Sequence, residues 1–96
     1  MSQSVKIKKL RYKIAGAYPG GWKYVDGYAI DSGLPVRICV HKESNGLWGA
    51  DHYDTGLRFG YRSETRTEAI EYGIRQMMDA ISSGRYFKAL DEKGYL

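Results

Sequence analysis

Acidic residues are absent from the first quarter of this chain. Residues 1–23 carry Lys6, Lys8, Lys9, Arg11, Lys13 and Lys23 and no Asp or Glu, whereas the remainder carries nine Lys/Arg against eleven Asp/Glu. The net charge of +4 therefore sits entirely on the N-terminal segment. Such asymmetry speaks to what a surface attracts rather than to fold. Other scarcities exclude whole classes. A lone cysteine, Cys39, rules out an internal disulfide and makes a reducing compartment, the cytoplasm, the expected location. No apolar run approaches the ~18 residues that suggest a transmembrane helix. The basic start MSQSVKIKKLRYKI has no apolar stretch behind it, so it does not read as a secretory signal. Repeats and low-complexity segments are lacking.

With 96 residues, 43% of them apolar and 27% charged, the chain is expected to form one domain over 1–96 with a single core rather than to be disordered. Tyrosine is the outlier, nine against two Phe and two Trp. Its wide apolar face and polar tip suit both half-buried sheet surfaces and interfaces.

Turn signals recur at short intervals: Tyr18-Pro19-Gly20-Gly21, Asp31-Ser32-Gly33, Ser44-Asn45-Gly46 and Asp54-Thr55-Gly56. The stretches between them read as strands near 5–15, 22–30, 34–42, 47–53 and 57–62. Trp22, Tyr24, Tyr28 and Ile30 share one parity, as do Leu34, Val36, Ile38 and Val40. In the first strand Val5 and Ile7 fall on one parity and Leu10, Tyr12 and Ile14 on the other. A β-bulge at Lys8-Lys9 would reunite them; alternatively Val5 and Ile7 belong to a loose tail. Thr65-Arg66-Thr67-Glu68 fits a capping box. Ile70, Ile74, Met77 and Ile81 then recur at helical spacing up to Gly84, which predicts a helix over 66–83. Gly73 falls mid-helix, where it would permit close approach to a sheet. A short second helix over 85–92, ended by Gly94, fits the tail 85–96, and residues 1–4 read as disordered. The fold class is α+β: an antiparallel meander of about five strands, an amphipathic helix across one face, and a short C-terminal helix or tail.

The six cations of 1–23 are interleaved with Tyr12, Tyr18, Trp22 and Tyr24. Cations neutralise phosphates and aromatic rings stack on bases, so the pattern matches a nucleic-acid footprint. Lys6, Lys8, Lys9, Arg11, Lys13 and Lys23 would hold phosphates, with Tyr12 and Trp22 as stacking groups. The same lysines also suit an edge strand, where charge deters sheet-to-sheet aggregation. Arg58, Arg62 and Arg66 offer a weaker second cationic face, countered by Glu64, Glu68 and Glu71.

Metal and nucleophilic chemistry have less support. Cys39, His41 and His52 are permissible zinc ligands. A two-residue Asn45-Gly46 loop would set Cys39 opposite His52. A three-residue Ser44-Asn45-Gly46 loop sets Ile38 opposite His52 and Val40 opposite Ala50, which buries Trp48 beside the apolar face. We prefer the latter; it separates His52 from Cys39 and His41, makes Cys39 a buried or half-buried strand residue, and leaves the histidines as surface residues. No serine lies in a G-x-S-x-G elbow and no phosphate loop is present.

The segment Trp48…Thr55-Gly56…Thr65-Arg66-Thr67-Glu68-Ala69 resembles the end of the arm-type DNA-binding domain of tyrosine integrases, three strands and a helix whose sheet enters the DNA major groove. The resemblance covers under a third of the chain, which differs in its extra strands ahead of the segment and in lacking a recombinase domain after it. In style the small tyrosine-rich chain is also similar to accessory proteins of phages and mobile elements, many of which inhibit host machinery. The expectation is a non-enzymatic, cofactor-free protein that binds nucleic acid or another polyanion through its basic first strand. The alternative is a protein-binding inhibitor or adaptor of the phage or mobile-element kind, acting on a host enzyme or an acidic protein surface, with no membrane involvement.

Overall fold

The computed structural model describes residues 6–15, 21–92 and 94. The elements run β1 (Lys6–Ala15), β2 (Trp22–Asp31), β3 (Ile38–Lys42), β4 (Trp48–His52), β5 (Arg58–Ser63), α1 (Arg66–Ser82) and α2 (Arg85–Glu92). Each strand pairs antiparallel with its sequence neighbour, in the order β1-β2-β3-β4-β5, so the expected meander is the observed sheet. The tail expected at residues 1–4 and the turn at Tyr18-Pro19-Gly20 lie outside the described residues. No helix among the described residues is long and apolar enough to cross a membrane.

Turn chemistry sets the register that matters most. Between β3 and β4, Glu43 N–H donates to the Leu47 carbonyl at 2.7 Å and Gly46 takes φ +88, a three-residue loop closed by the residue type that accepts a left-handed backbone. Ile38 then lies opposite His52 and Val40 opposite Ala50, as the burial argument required. Ile30, Ile38, Val40 and Ala50 share one sheet face and meet Ala69, Ile70 and Met77 of α1. Thr65 caps that helix: its hydroxyl oxygen accepts Glu68 N–H at 3.2 Å and donates to the Glu68 carboxylate at 3.0 Å. Gly73 marks the closest approach of helix to sheet, since a Cβ there would stand 3.1 Å from Ala50 Cβ. That contact accounts for a mid-helix glycine that costs about 1 kcal/mol relative to alanine.

A second core lies on the opposite face, where the single core expected from length gave no hint of one. Tyr12, Ile14 and Cys39 are buried there, with Leu10, Val25, Ala29 and Tyr53 packed against them. No described helix covers this face; the sheet covers itself. Tyr12 Oη of β1 donates to Asp51 Oδ2 of β4 at 2.6 Å. In a flat sheet those strands would stand three spacings, about 14 Å, apart, so the sheet must roll. Ala15 N–H donates to the Gly56 carbonyl at 2.8 Å, joining the end of β1 to the β4–β5 turn. Gly27 of β2 makes the bend possible: it is buried, and a Cβ there would lie 2.3 Å from the Val40 carbonyl oxygen and 2.9 Å from the Tyr12 ring.

Three local expectations are corrected. The β1–β2 ladder runs unbroken from Lys6 opposite Asp31 to Ala15 opposite Trp22, so no bulge falls at Lys8-Lys9. Ile7 stays in the strand, opposite Ile30, and faces away from Leu10, Tyr12 and Ile14, 41% exposed. The ladder shifts register instead between β4 and β5, beside Gly60 at φ +74. Finally, β3 begins at Ile38; the preceding Leu34-Pro35-Val36 bends, consistent with a proline that cannot donate to a ladder, although Leu34 and Val36 still pack on the α1-side core.

Candidate nucleic-acid interface

Alternation along β1 sorts its side chains between two environments. Leu10, Tyr12 and Ile14 point into the rolled face, so Lys9, Arg11 and Lys13 point outward. Across the ladder Lys13 pairs with Tyr24, and Ala15 with Trp22, so both rings stand on the same outer face as the cations. Trp22 is 48% exposed and Tyr24 60%. Two of the cations lean diagonally onto a ring, with the Lys13 ammonium 4.5 Å from the Trp22 centroid and the Arg11 guanidinium 5.8 Å from that of Tyr24. Asp26, opposite Arg11, is the acid on this face. Since α1 packs mainly on β3, β4 and β5 and covers β2 at its Tyr28 and Ile30 end, the outer side of β1–β2 is open at Lys9, Arg11 and Lys13 and at Trp22, Tyr24 and Asp26. Near the start of α1, Arg66 continues the theme with its guanidinium 4.6 Å from the Tyr28 centroid.

Of the residues nominated from sequence, Lys9, Arg11, Lys13 and Trp22 thus converge, and Tyr24 joins them. Its membership was readable from its shared parity with Trp22. Lys6 and Lys8 lie on the other parity, beside a hollow of about 570 Å³ whose lining includes Arg37, Asp31 and Asp54. Lys23 lies opposite Ile14 and is exposed. Tyr12 cannot be a stacking group: it is 2% exposed, and burial together with the neighbouring Asp51 raises its pKa far above the usual phenol value. Its hydroxyl also lies 3.2 Å from His41 Nδ1, which is itself 2.6 Å from Asp51 Oδ2.

The remaining candidates scatter. Arg58 and Arg62 both pair with Glu43, the former at 2.6 Å, while Arg66 stacks on Tyr28, so the second cationic face does not assemble. Cys39 and His41 occupy the rolled face and His52 the α1 face, and among the described residues no group of three potential ligands could hold a metal ion. Both histidines are buried, at 3% and 6% exposure, contrary to their expected surface placement. The reason is that each finds polar partners inside. His41 has Asp51 and Tyr12. His52 Nδ1 accepts Thr55 N–H at 3.3 Å and lies 2.7 Å from Thr55 Oγ1, and its Nε2 is 3.0 Å from Tyr86 Oη. Cys39 is fully enclosed, and burial with Asp51 nearby pushes its thiol up to about 12.

No family model, curated protein or solved structure matches this chain. The likeness of its β4–β5–α1 segment to integrase arm-type domains rests on those residues alone.

His52 yields a pH prediction. Burial lowers its pKa below the ordinary 6.5, with Asp54 opposing in part. The unfolded chain therefore takes up a proton near pH 6.5 that the folded chain accepts only at lower pH. Stability is complete above about pH 6.5 and falls as pH drops toward the folded value. Urea midpoints measured between about pH 7.5 and 5 are expected to decline, and the decline to be shallower in His52→Gln. Equal slopes in the two proteins would refute this assignment.

Proposed function

We propose that this protein binds nucleic acid through the outer face of the β1–β2 hairpin. The observation that carries the reading is the juxtaposition of two rows on one exposed face: Lys9, Arg11 and Lys13 on β1, and Trp22 and Tyr24 on β2. Cations beside open rings are the means by which proteins hold a phosphate backbone and its bases. Guarding a sheet edge would account for the lysines of β1 but not for two half-exposed rings beside them. The reading is of a binding protein and not an enzyme. Its one thiol is enclosed and kept protonated, and the His41–Asp51 pair is engaged with Tyr12 rather than with an open cleft.

Fluorescence anisotropy with labelled oligonucleotides at two ionic strengths tests the proposal. Affinity is expected to fall steeply with salt. Replacing Lys9, Arg11 and Lys13 together by alanine should weaken low-salt binding on the order of ten- to a hundredfold and flatten the log–log salt slope by about 2, at ~0.7–0.9 per phosphate contact. No binding at low salt defeats the proposal. A protein partner with an acidic surface would use the same rings and arginine as anchors; a stoichiometric partner recovered from lysate after nuclease treatment would favour that second reading.

A further inference from the structure

We infer that the nucleic acid this face accepts is single-stranded; this rests on the nucleic-acid reading and narrows it. Trp22 and Tyr24 are two residues apart on one strand and project to the same side, which separates them by about 6.8 Å along β2. Bases in a duplex strand are stacked at about 3.4 Å per nucleotide. Rings set at twice that repeat cannot slot between bases that are already stacked. They match a strand whose bases are splayed, one base to each ring. The cation row repeats at the same interval, because Lys9, Arg11 and Lys13 are also spaced by two. Phosphates and bases of an extended strand would therefore meet cations and rings in step, in two parallel rows across one ladder.

Side-chain packing supports the same choice. Lys13 and Arg11 lie against Trp22 and Tyr24, and exposures of 48% and 60% leave much of each ring open. A base stacked there would complete a base–ring–cation sandwich, and base–aromatic stacking tolerates any base because every base has a π-face. A two-stranded ribbon can also enter a duplex major groove, but base edges there are read by Arg, Lys, Asn or Gln reaching outward. On this face Arg11 and Lys13 lie against Tyr24 and Trp22, so the face presents two open rings with Lys9 as the remaining outward cation.

The test compares four probes of equal phosphate number by anisotropy at low salt: oligo-dT, oligo-rU, a mixed-sequence duplex DNA, and an abasic deoxyribose-phosphate strand. Either single strand should bind at least tenfold more tightly than the duplex and the abasic strand. The dT and rU arms tell a DNA from an RNA ligand, and tight binding of either supports the inference. Trp22→Ala is expected to lower single-strand affinity about five- to a hundredfold, to leave duplex affinity unchanged, and to be largely rescued by Trp22→Phe. Trp22 is exposed, so neither variant disturbs a core. Duplex binding as tight as or tighter than dT and rU, or abasic binding equal to dT, overturns the single-strand assignment while leaving the nucleic-acid reading intact. No binding to any probe overturns both.

Discussion

Replacing Asp51 by alanine is expected to destabilise the protein by about 3–5 kcal/mol, the loss typical when one partner of a buried polar pair is removed. Small domains have only about 5–15 kcal/mol in total, so the variant should be partly unfolded at room temperature or melt far below wild type. The cause is specific. Asp51 Oδ2 receives the Tyr12 hydroxyl and lies 2.6 Å from His41 Nδ1, all three residues being nearly inaccessible to water. Deleting the carboxylate strands both neighbours in a region that water cannot reach to replace it. Asp51→Asn should be much milder. Its carbonyl can take the place of Oδ2, and its amide would fall where Oδ1 has no partner among the described residues. Tyr12→Phe removes one donor only and should cost about 1–3 kcal/mol. Urea denaturation at pH 7.5 ranks the three. An alanine variant within 1 kcal/mol of wild type would show that the cluster does not hold the sheet closed.

The second large effect is expected at Gly27. A methyl group there would press on the Val40 carbonyl oxygen at 2.3 Å and on His41 Cβ at 3.0 Å, besides the Tyr12 ring. The first of these is backbone and cannot swing away. Gly27→Ala should therefore cost at least the ~3 kcal/mol at the upper end for overpacked sites, and Gly27→Val more. Gly49, on the neighbouring ladder, supplies the contrast. Its added Cβ would meet the Arg62 side chain first, at 3.3 Å, and that chain can move. Gly49→Ala should fold with a modest loss. Circular dichroism melts of the two alanine variants decide the matter, and similar melting temperatures would contradict the close approach at Gly27.

How much of this was legible beforehand differs between the two faces. The α1-side core was readable because its signals are local and agree with one another: alternation in β3, a capping box ahead of α1, and Trp48 choosing the loop length between β3 and β4. That register also implied that Asp51 and His41 share a face, since it sets Cys39 opposite Asp51. The rolled face was not readable, because it depends on a contact between residues 39 positions apart and on a strand curvature that no periodicity records. Gly27 carried a trace of it, as a glycine inside a strand pattern. Tyr12 was misplaced for a related reason. Counting charge and aromatics along 1–23 put it beside Trp22, although its shared parity with Leu10 and Ile14 already pointed inward. Within the candidate interface, charge asymmetry pointed to the segment, and the ladder then sorted Lys9, Arg11 and Lys13 from Lys6, Lys8 and Lys23.

The two-sidedness of β1 has an evolutionary consequence. Even-numbered positions from Leu10 to Ile14 hold the second core, and the odd-numbered Lys9, Arg11 and Lys13 face outward. Selection acting on ligand preference can rewrite the odd positions without disturbing the lock formed by the even ones. A saturation-mutagenesis library across residues 9–14, sorted for folding and for binding, should yield two tolerance profiles of period two, one the inverse of the other.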